Sequence, residues 1–298
     1  MPNAIAALVD CELMLRQRLI VALIVIPPGL FIIYAGGILF FLTMVIFFSI
    51  GAYEYTNMMR DAERGRRPSQ PVIVWGAIAL GTARTLPYFF SALQPYDTAI
   101  NNLTLAIIIV VATLWHIVDH ERGATQAASD WALTMTGIFY IGWMCSFYVL
   151  IRNLPDGMWW FFLTLPPIWL ADAGAYTVGR WIGKYSLAPR LSPKKTVEGF
   201  IGGVVWATCF GALFGWLGSI GIGSAASAVS YVSGAVIGFI GGLVGMLGDL
   251  TISMIKREAR VKDSGTVFGA HGGMLDRIDS WILAGPLVYY VIVLFFLR

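Results

Sequence analysis

The sequence is poor in charged residues. Only 12% of its 298 residues are Asp, Glu, Lys or Arg, whereas 58% are hydrophobic. Soluble domains carry about 25% charged residues, and half that proportion does not cover the surface of a water-soluble globule. The composition therefore argues against a soluble cytosolic enzyme and a disordered chain. It indicates that the excess apolar surface faces lipid.

Paired cysteines and a strong excess of basic residues are also absent. The three cysteines are scattered and form no CxxC pair, so the sequence suggests neither a zinc site nor a disulfide framework. The formal net charge is only +3, which gives no reason to expect a nucleic-acid partner. The positions of the charges are therefore more informative than their sum.

Long apolar runs predict an all-α polytopic membrane protein. A helix needs about 20 mostly apolar residues to cross a bilayer. Nine segments meet this requirement: 19–35, 37–55, 72–93, 103–118, 131–151, 158–176, 199–219, 229–251 and 280–297. The first segment is interpreted as a retained helix because no small-residue cleavage site follows it.

The positive-inside rule predicts the orientation of these nine spans. With the N-terminus in the cytoplasm and the C-terminus outside, nearly all Lys and Arg residues lie on the cytoplasmic side. The exceptions are Arg84, Arg152 and Arg298. The long polar segments 177–198 and 252–279 then face the cytoplasm and, with the adjoining helix ends, must form any active-site cavity. We divide the chain into an N-terminal multi-span region (1–156) and a C-terminal catalytic region (157–298).

Acidic residues at membrane depth are costly and often functional. Asp172, Asp249 and Asp276 are the candidates. Glu54 is a weaker one, which we interpret as reaching the interface along an otherwise apolar surface. Repeated glycines within the spans, such as Gly238 and Gly242, favour close helix packing over nucleotide binding.

Residues 249–280 have the composition of a metal–polyphosphate site. If the eighth helix continues beyond 251, Asp249, Ser253 and Lys256 lie on one face. Asp276 and Asp279 share a face at the start of the ninth helix. Carboxylates, phosphate oxygens and water are the ligands that Mg²⁺ prefers, and nearby lysines and arginines would neutralise phosphate. The alternative is an ordinary charged cytoplasmic loop.

Residues 192–198 predict a helix N-terminus that attracts anions. Thr196 is a suitable N-cap, Glu198 lies in the first turn, and Lys194 and Lys195 are adjacent. The alternative is that these lysines serve only as a topology signal.

Two runs of residues resemble the signature of the phosphatidate cytidylyltransferases, also called CDP-diacylglycerol synthases. The first run contains Ser253, Lys256, Arg257, Lys262, Asp263, Gly265, Gly269, His271, Gly272, Gly273, Asp276, Arg277 and Asp279. The second contains Asp172, Ala175, Tyr176, Gly179 and Arg180, followed by Ser192, Pro193, Lys194, Lys195, Thr196, Glu198 and Gly199. Close resemblance covers about 172–281, and the first 170 residues match only as a multi-span region.

The resemblance implies a homodimeric enzyme of the bacterial cell membrane that converts CTP and phosphatidate into CDP-diacylglycerol and pyrophosphate. It implies Mg²⁺, with K⁺ as an assisting ion, bound by Asp249 and Asp276. Lys256 and Arg257 are implied catalytic residues together with these aspartates. The implied substrate contacts are Asp172, Tyr176, Arg180, Ser192, Lys194, Lys195, Thr196, Ser253, Lys262, Asp263, His271, Arg277 and Asp279.

Two other functions are compatible with a multi-span protein. A transporter or channel would also contain acidic residues in its spans, but we find no internal repeat and the charges cluster on one side. An enzyme that joins a CDP-lipid to an alcohol is the second alternative, and its Asp-Gly-x-x-Ala-Arg signature is absent. Both alternatives are weaker than the cytidylyltransferase interpretation.

Overall fold

The computed structural model describes residues 27–60, 65–222, 228–269 and 272–297, which fold mainly into helices. The α-helices are α1 (Gly37–Met59), α2 (Gln70–Phe89), α3 (Asp97–Glu121), α4 (Ala127–Thr136), α5 (Met144–Asn153), α6 (Gly157–Ile182), α7 (Val197–Ile222), α8 (Tyr231–Glu258) and α9 (Leu275–Val291). A 3₁₀ segment (Ser91–Tyr96) precedes α3, and π-helical segments join α4 to α5 (Gly137–Trp143) and extend α9 (Ile292–Phe296). Strands β1 (Ser186–Ala188) and β2 (Ser192–Thr196) form an antiparallel hairpin between α6 and α7.

Seven helical segments in the described ranges are long and apolar enough to cross a membrane. They are Gly37–Met59, Gln70–Phe89, Ser91–Glu121, Ala127–Asn153, Val197–Gly221, Tyr231–Glu258 and Leu275–Phe296. These segments confirm an all-α polytopic membrane protein and match the second to fifth and seventh to ninth predicted spans. The count of nine spans stays a prediction.

The two other predicted spans differ from these seven. The sixth lies in α6, which is 26 residues long but is not among the seven, because Asp172 and two prolines lower its hydropathy. Of the first predicted span, residues 19–26 lie outside the described residues, while 27–35 are helical.

Glycines allow α7 and α8 to pack backbone against backbone. A Cβ atom on Gly234 would collide with the carbonyl oxygen of Gly211, and one on Gly238 would collide with that of Ala207. Small residues permit such close approach between membrane helices. The predicted packing role of the glycines is therefore confirmed. The close contact fixes β2, which leads into α7, relative to the polar end of α8.

The two predicted regions share one hydrophobic core. The hydroxyl of Tyr148 donates a hydrogen bond of 2.9 Å to the backbone carbonyl of Trp281. The rings of Phe40 and Phe161 pack edge to face with centroids 5.0 Å apart. Elements from both regions therefore support the C-terminal helices.

The contact between α7 and α8 predicts that Gly234→Ala destabilises the protein. The added methyl group must push the two backbones apart, and overpacking of this kind costs about 1–3 kcal/mol. We expect a lower Tm in thermal unfolding of the detergent-solubilised protein. Gly29→Ala is the control, because no described atom lies within 4 Å of a Cβ at Gly29. An unchanged Tm for Gly234→Ala would contradict the packing described above.

Candidate active site

The β-hairpin leads directly into the capped N-terminus of α7. Strand β2 pairs with β1 through Ser186 opposite Thr196 and Ala188 opposite Ser192. The hydroxyl oxygen of Thr196 then accepts a hydrogen bond of 3.1 Å from the backbone N–H of Gly199. This bond satisfies a donor of the first helical turn and confirms the predicted cap.

Glu198 joins the first turn of α7 to the residues that precede β1. Its carboxylate accepts hydrogen bonds from the backbone N–H groups of Lys184, at 3.1 Å, and Tyr185, at 3.3 Å. Segment 177–198 is therefore an ordered structure rather than an irregular loop. The contacts keep Lys194 and Lys195 close to α6.

A cavity of about 360 Å³ lies where α6, β2, α7 and α8 meet. It is lined by Asp172, Ala175, Tyr176, Gly179, Arg180, Lys194, Lys195, Thr196, Gly199, Phe200, Met246 and Asp249. Every polar side chain in this lining was predicted from the sequence as a site residue. The cavity places basic and acidic groups beside the apolar side chains of Phe200 and Met246.

Asp249 lies at the cavity wall on α8, which continues to Glu258 as the spacing predicts. Its carboxylate forms an ion pair with Lys195 of β2. The hydroxyl of Ser253, one turn further along α8, lies 3.4 Å from the other carboxylate oxygen. The predicted shared face is confirmed for Asp249 and Ser253.

Asp276 is held by four donors at the start of α9. Lys256 Nζ lies 2.6 Å from Oδ1. The other oxygen, Oδ2, accepts hydrogen bonds from the Ser264 N–H at 2.8 Å, the Ser264 hydroxyl at 2.9 Å and the Gly273 N–H at 3.0 Å. The Asp276 side chain is only 10% exposed. Its position is therefore fixed more tightly than that of Asp249.

Glu54 of α1 lies beside the residues that hold Asp276, and the sequence interpretation missed this. We expected its side chain to reach the interface, but the residue is 4% exposed, so that interpretation is wrong. The carboxylate accepts hydrogen bonds from the N–H groups of Met274 and Leu275, and it competes with Asp276 for the proton of the Ser264 hydroxyl. The available signal was an acidic residue near membrane depth, which gave no indication of its partners.

The aspartates around the cavity form one electrostatic group. Asp279 of α9 interacts electrostatically with Asp249, Asp172 and Lys256. Lys195 also interacts with Asp172. Helices α6, α8 and α9 therefore place three carboxylates within electrostatic range of one another, and the two lysines offset their negative charge.

The remaining predicted residues lie around this group. The guanidinium of Arg180 lies 3.3 Å from the hydroxyl oxygen of Tyr176. Arg257 donates a long hydrogen bond of 3.5 Å to the backbone carbonyl of Leu191. Ser192 lies on β2 and is partly buried. The exposed predicted residues outside the cavity lining are Arg257, Lys262, Asp263 and Arg277, and His271 lies outside the described residues.

The two predicted metal carboxylates differ in how well they fit a cation. Asp249 lies beside an open cavity and has one oxygen with only a long hydrogen bond, so it fits a Mg²⁺ ion whose other ligands are phosphate oxygens and water. Asp276 could bind a cation only if Lys256 moved away from it. Among the described residues, no three His, Cys, Asp or Glu side chains are arranged to hold a metal without such additional ligands.

Comparison with known proteins shows the family of the chain. The model of the cytidylyltransferase family matches residues 16–295. A phosphatidate cytidylyltransferase of Synechocystis is 33% identical, with 93% of this chain and 96% of that protein aligned. One of Bacillus subtilis is 30% identical over 94% of this chain and 98% of that protein. A chloroplastic one of Arabidopsis thaliana is 28% identical over 92% of this chain. The chain belongs to the cytidylyltransferase family.

Proposed function

We propose that this protein is a phosphatidate cytidylyltransferase, which makes CDP-diacylglycerol and pyrophosphate from CTP and phosphatidate in phospholipid biosynthesis. The observation that carries the proposal is the cavity between α6 and α8, where basic, acidic and apolar side chains meet. Relatives of that name align with nearly the whole chain. A cavity that combines charged side chains with apolar surface suits a reaction between a water-soluble nucleotide and a lipid.

The charges in the cavity suit two phosphate-bearing substrates. Arg180, Lys194 and Lys195 line it and supply positive charge, and Lys256 lies behind Asp276. Lysine binds phosphate as a point charge, and arginine can donate two parallel hydrogen bonds. These side chains would bring together two polyanions that otherwise repel each other.

The reaction needs little proton transfer by the protein. A phosphate oxygen of phosphatidate attacks the α-phosphorus of CTP, forming a new P–O bond as the bond to the β-phosphate breaks and pyrophosphate leaves. A phosphomonoester has a second pKa of about 6, so this oxygen is already largely ionised near neutral pH. Positioning and electrostatic stabilisation therefore account for most of the catalysis, and we assign no covalent intermediate.

We propose Asp249 and Asp276 as the carboxylates that hold Mg²⁺, with K⁺ as an assisting ion. When bound, the cation would polarise the α-phosphoryl oxygens and offset the charge of the leaving group. Asp249 keeps one oxygen outside its ion pair with Lys195 that a cation could approach, whereas both oxygens of Asp276 are occupied and Lys256 would first have to move away. In the same proposal, Lys256 and Arg257 stabilise phosphate charge. Ser192, Thr196, Ser253, Lys262, Asp263, His271, Arg277 and Asp279 contribute substrate contacts.

We also propose the orientation and assembly of the protein. Nine spans with the N-terminus inside and the C-terminus outside put both polar segments on the cytoplasmic side of the cell membrane, where CTP is present. The distribution of lysine and arginine supports this orientation. We retain the division into regions 1–156 and 157–298 and expect a homodimer.

The direct test is synthesis by the purified protein. We expect detergent-solubilised protein with Mg²⁺, CTP and phosphatidate to release pyrophosphate and form CDP-diacylglycerol in equal amounts. Both products would be measured, with and without EDTA, and we expect EDTA to stop the reaction. Absence of both products from folded protein would contradict the proposal and favour transport.

The aspartate assignment predicts that Asp249→Asn and Asp276→Asn each lower kcat by at least about 100-fold, because loss of electrostatic stabilisation in an active site has costs of this size. Asp119→Asn is the control, since Asp119 lies on α3 near His116 and away from the cavity. Pyrophosphate release would be measured across a Mg²⁺ titration. Near-normal release by either cavity variant would remove that aspartate from the proposed metal site.

Lys194 and Lys195 are expected to have different roles. Lys195→Ala leaves the partly buried Asp249 without its partner, so we expect a large loss of kcat. Lys194 is exposed at the cavity, so Lys194→Ala should mainly raise the KM for CTP or phosphatidate, by about 10-fold for the loss of one charged contact. Lys184→Ala is the control, because Lys184 precedes β1 and does not line the cavity. Unchanged kcat and KM in both variants would exclude the pair from the site.

A further inference from the structure

The N-terminus of α9 is bound by a carboxylate from the N-terminal region of the chain. Glu54 of α1 accepts hydrogen bonds from the N–H groups of Met274, at 3.0 Å, and Leu275, at 2.8 Å. Donors at the start of a helix have no carbonyl partner within that helix, and negative charge there is favourable. Glu54 therefore stabilises the first turn of α9 across a separation of 220 positions.

Ser264 connects Glu54 to the proposed catalytic carboxylate of Asp276. Its hydroxyl oxygen lies 3.1 Å from Glu54 Oε2 and 2.9 Å from Asp276 Oδ2. A serine hydroxyl has one proton and can donate it to only one of these acceptors at a time. The Ser264 backbone N–H also donates to Asp276. Movement of Glu54 would therefore be transmitted to Asp276 through one intervening residue.

Two glycines make room for the Glu54 carboxylate. A Cβ atom on Gly265 would lie 2.7 Å from Glu54 Cδ, and one on Gly273 would lie 2.6 Å from it. Both separations are shorter than real Cβ contacts, so a side chain at either position would require the Glu54 carboxylate to move. The backbone around Asp276 is thus closely fitted to Glu54, which is 4% exposed and does not line the cavity.

We propose that Glu54 is a positioning residue, which holds Ser264 and the first turn of α9 so that Asp276 stays against Lys256. The inference rests on the proposed cytidylyl transfer for its effect on rate. It adds to that function a residue from the N-terminal region, outside the part of the chain that carries the signature motifs.

The test is Glu54→Gln in the full-length protein. A glutamine side chain has the same length but has lost one acceptor oxygen, so it cannot keep all three hydrogen bonds. Small displacements of catalytic groups can cost about 100-fold in rate. We expect kcat per folded enzyme to fall about 10- to 100-fold while the KM for CTP and the KM for phosphatidate change less than about twofold, because Glu54 lies behind Asp276.

Thr56→Val is the matched control on α1. Thr56 is fully buried, and its hydroxyl donates to the carbonyl of Ala52 in the same helix, 2.8 Å away. We expect this variant to keep kcat even if its Tm falls. A Glu54→Gln enzyme that also kept kcat and lost only thermal stability would overturn the proposal, since that result indicates a purely structural role.

Ser264→Ala provides a second variant that removes only a hydroxyl group. If Glu54→Gln does not fold, a normal kcat in Ser264→Ala overturns the proposal, and a kcat about 10-fold lower with unchanged KM supports it. Where both fold, the double variant should lose less activity than the product of the two single losses, because residues in one network are coupled. A loss of activity in the double variant equal to the product of the two single losses would contradict the proposed route through Ser264.

Hydrogen exchange tests, without any measurement of activity, whether Glu54 holds the first turn of α9. The amides of Met274 and Leu275 should exchange faster in Glu54→Gln than in the unchanged protein and in Thr56→Val. Equal exchange would overturn the proposal, whatever the activity. If the unchanged protein makes no CDP-diacylglycerol, the proposed function fails, whereas the exchange rates still decide whether Glu54 holds α9.

Discussion

Pairing of carboxylates with lysines determines how the polar end of this helical protein is built. Lys195 of β2 pairs with Asp249 of α8, and Lys256 of α8 pairs with Asp276 of α9. Partly buried charges are costly unless they are paired and hydrogen-bonded. Helix α8 takes part in both pairs, so it links the hairpin on one side to α9 on the other. The cavity is organised around that shared helix.

Close helix packing makes this arrangement possible. Glycines at the contact of α7 and α8 let the backbones approach, and that approach keeps β2 near the polar end of α8. The cap formed by Thr196 and the contacts of Glu198 then orient the hairpin. The core beneath the cavity includes side chains from both halves of the chain, so the C-terminal helices are supported by the helices that precede them.

The parts predicted from sequence were those set by local spacing. The cap at Thr196 depends on neighbouring residues, and the extension of α8 follows from continued helical periodicity, which brings Asp249 and Ser253 together. The contact of Glu54 with Ser264 joins residues 210 positions apart, so no local pattern reports it. The hairpin was also missed, because its strands have only three and five residues and β2 contains proline and lysine rather than a β-forming alternation.

The ion pair between Lys195 and Asp249 has a consequence for how ligands affect one another. A phosphate group that binds Lys195 leaves Asp249 without its partner, and a cation that binds Asp249 leaves Lys195 available to phosphate. Each ligand thus lowers the electrostatic cost of binding the other. Such coupling is reciprocal by thermodynamic necessity. In the proposed enzyme, the cation would therefore raise the affinity for nucleotide by the same factor by which the nucleotide raises the affinity for the cation.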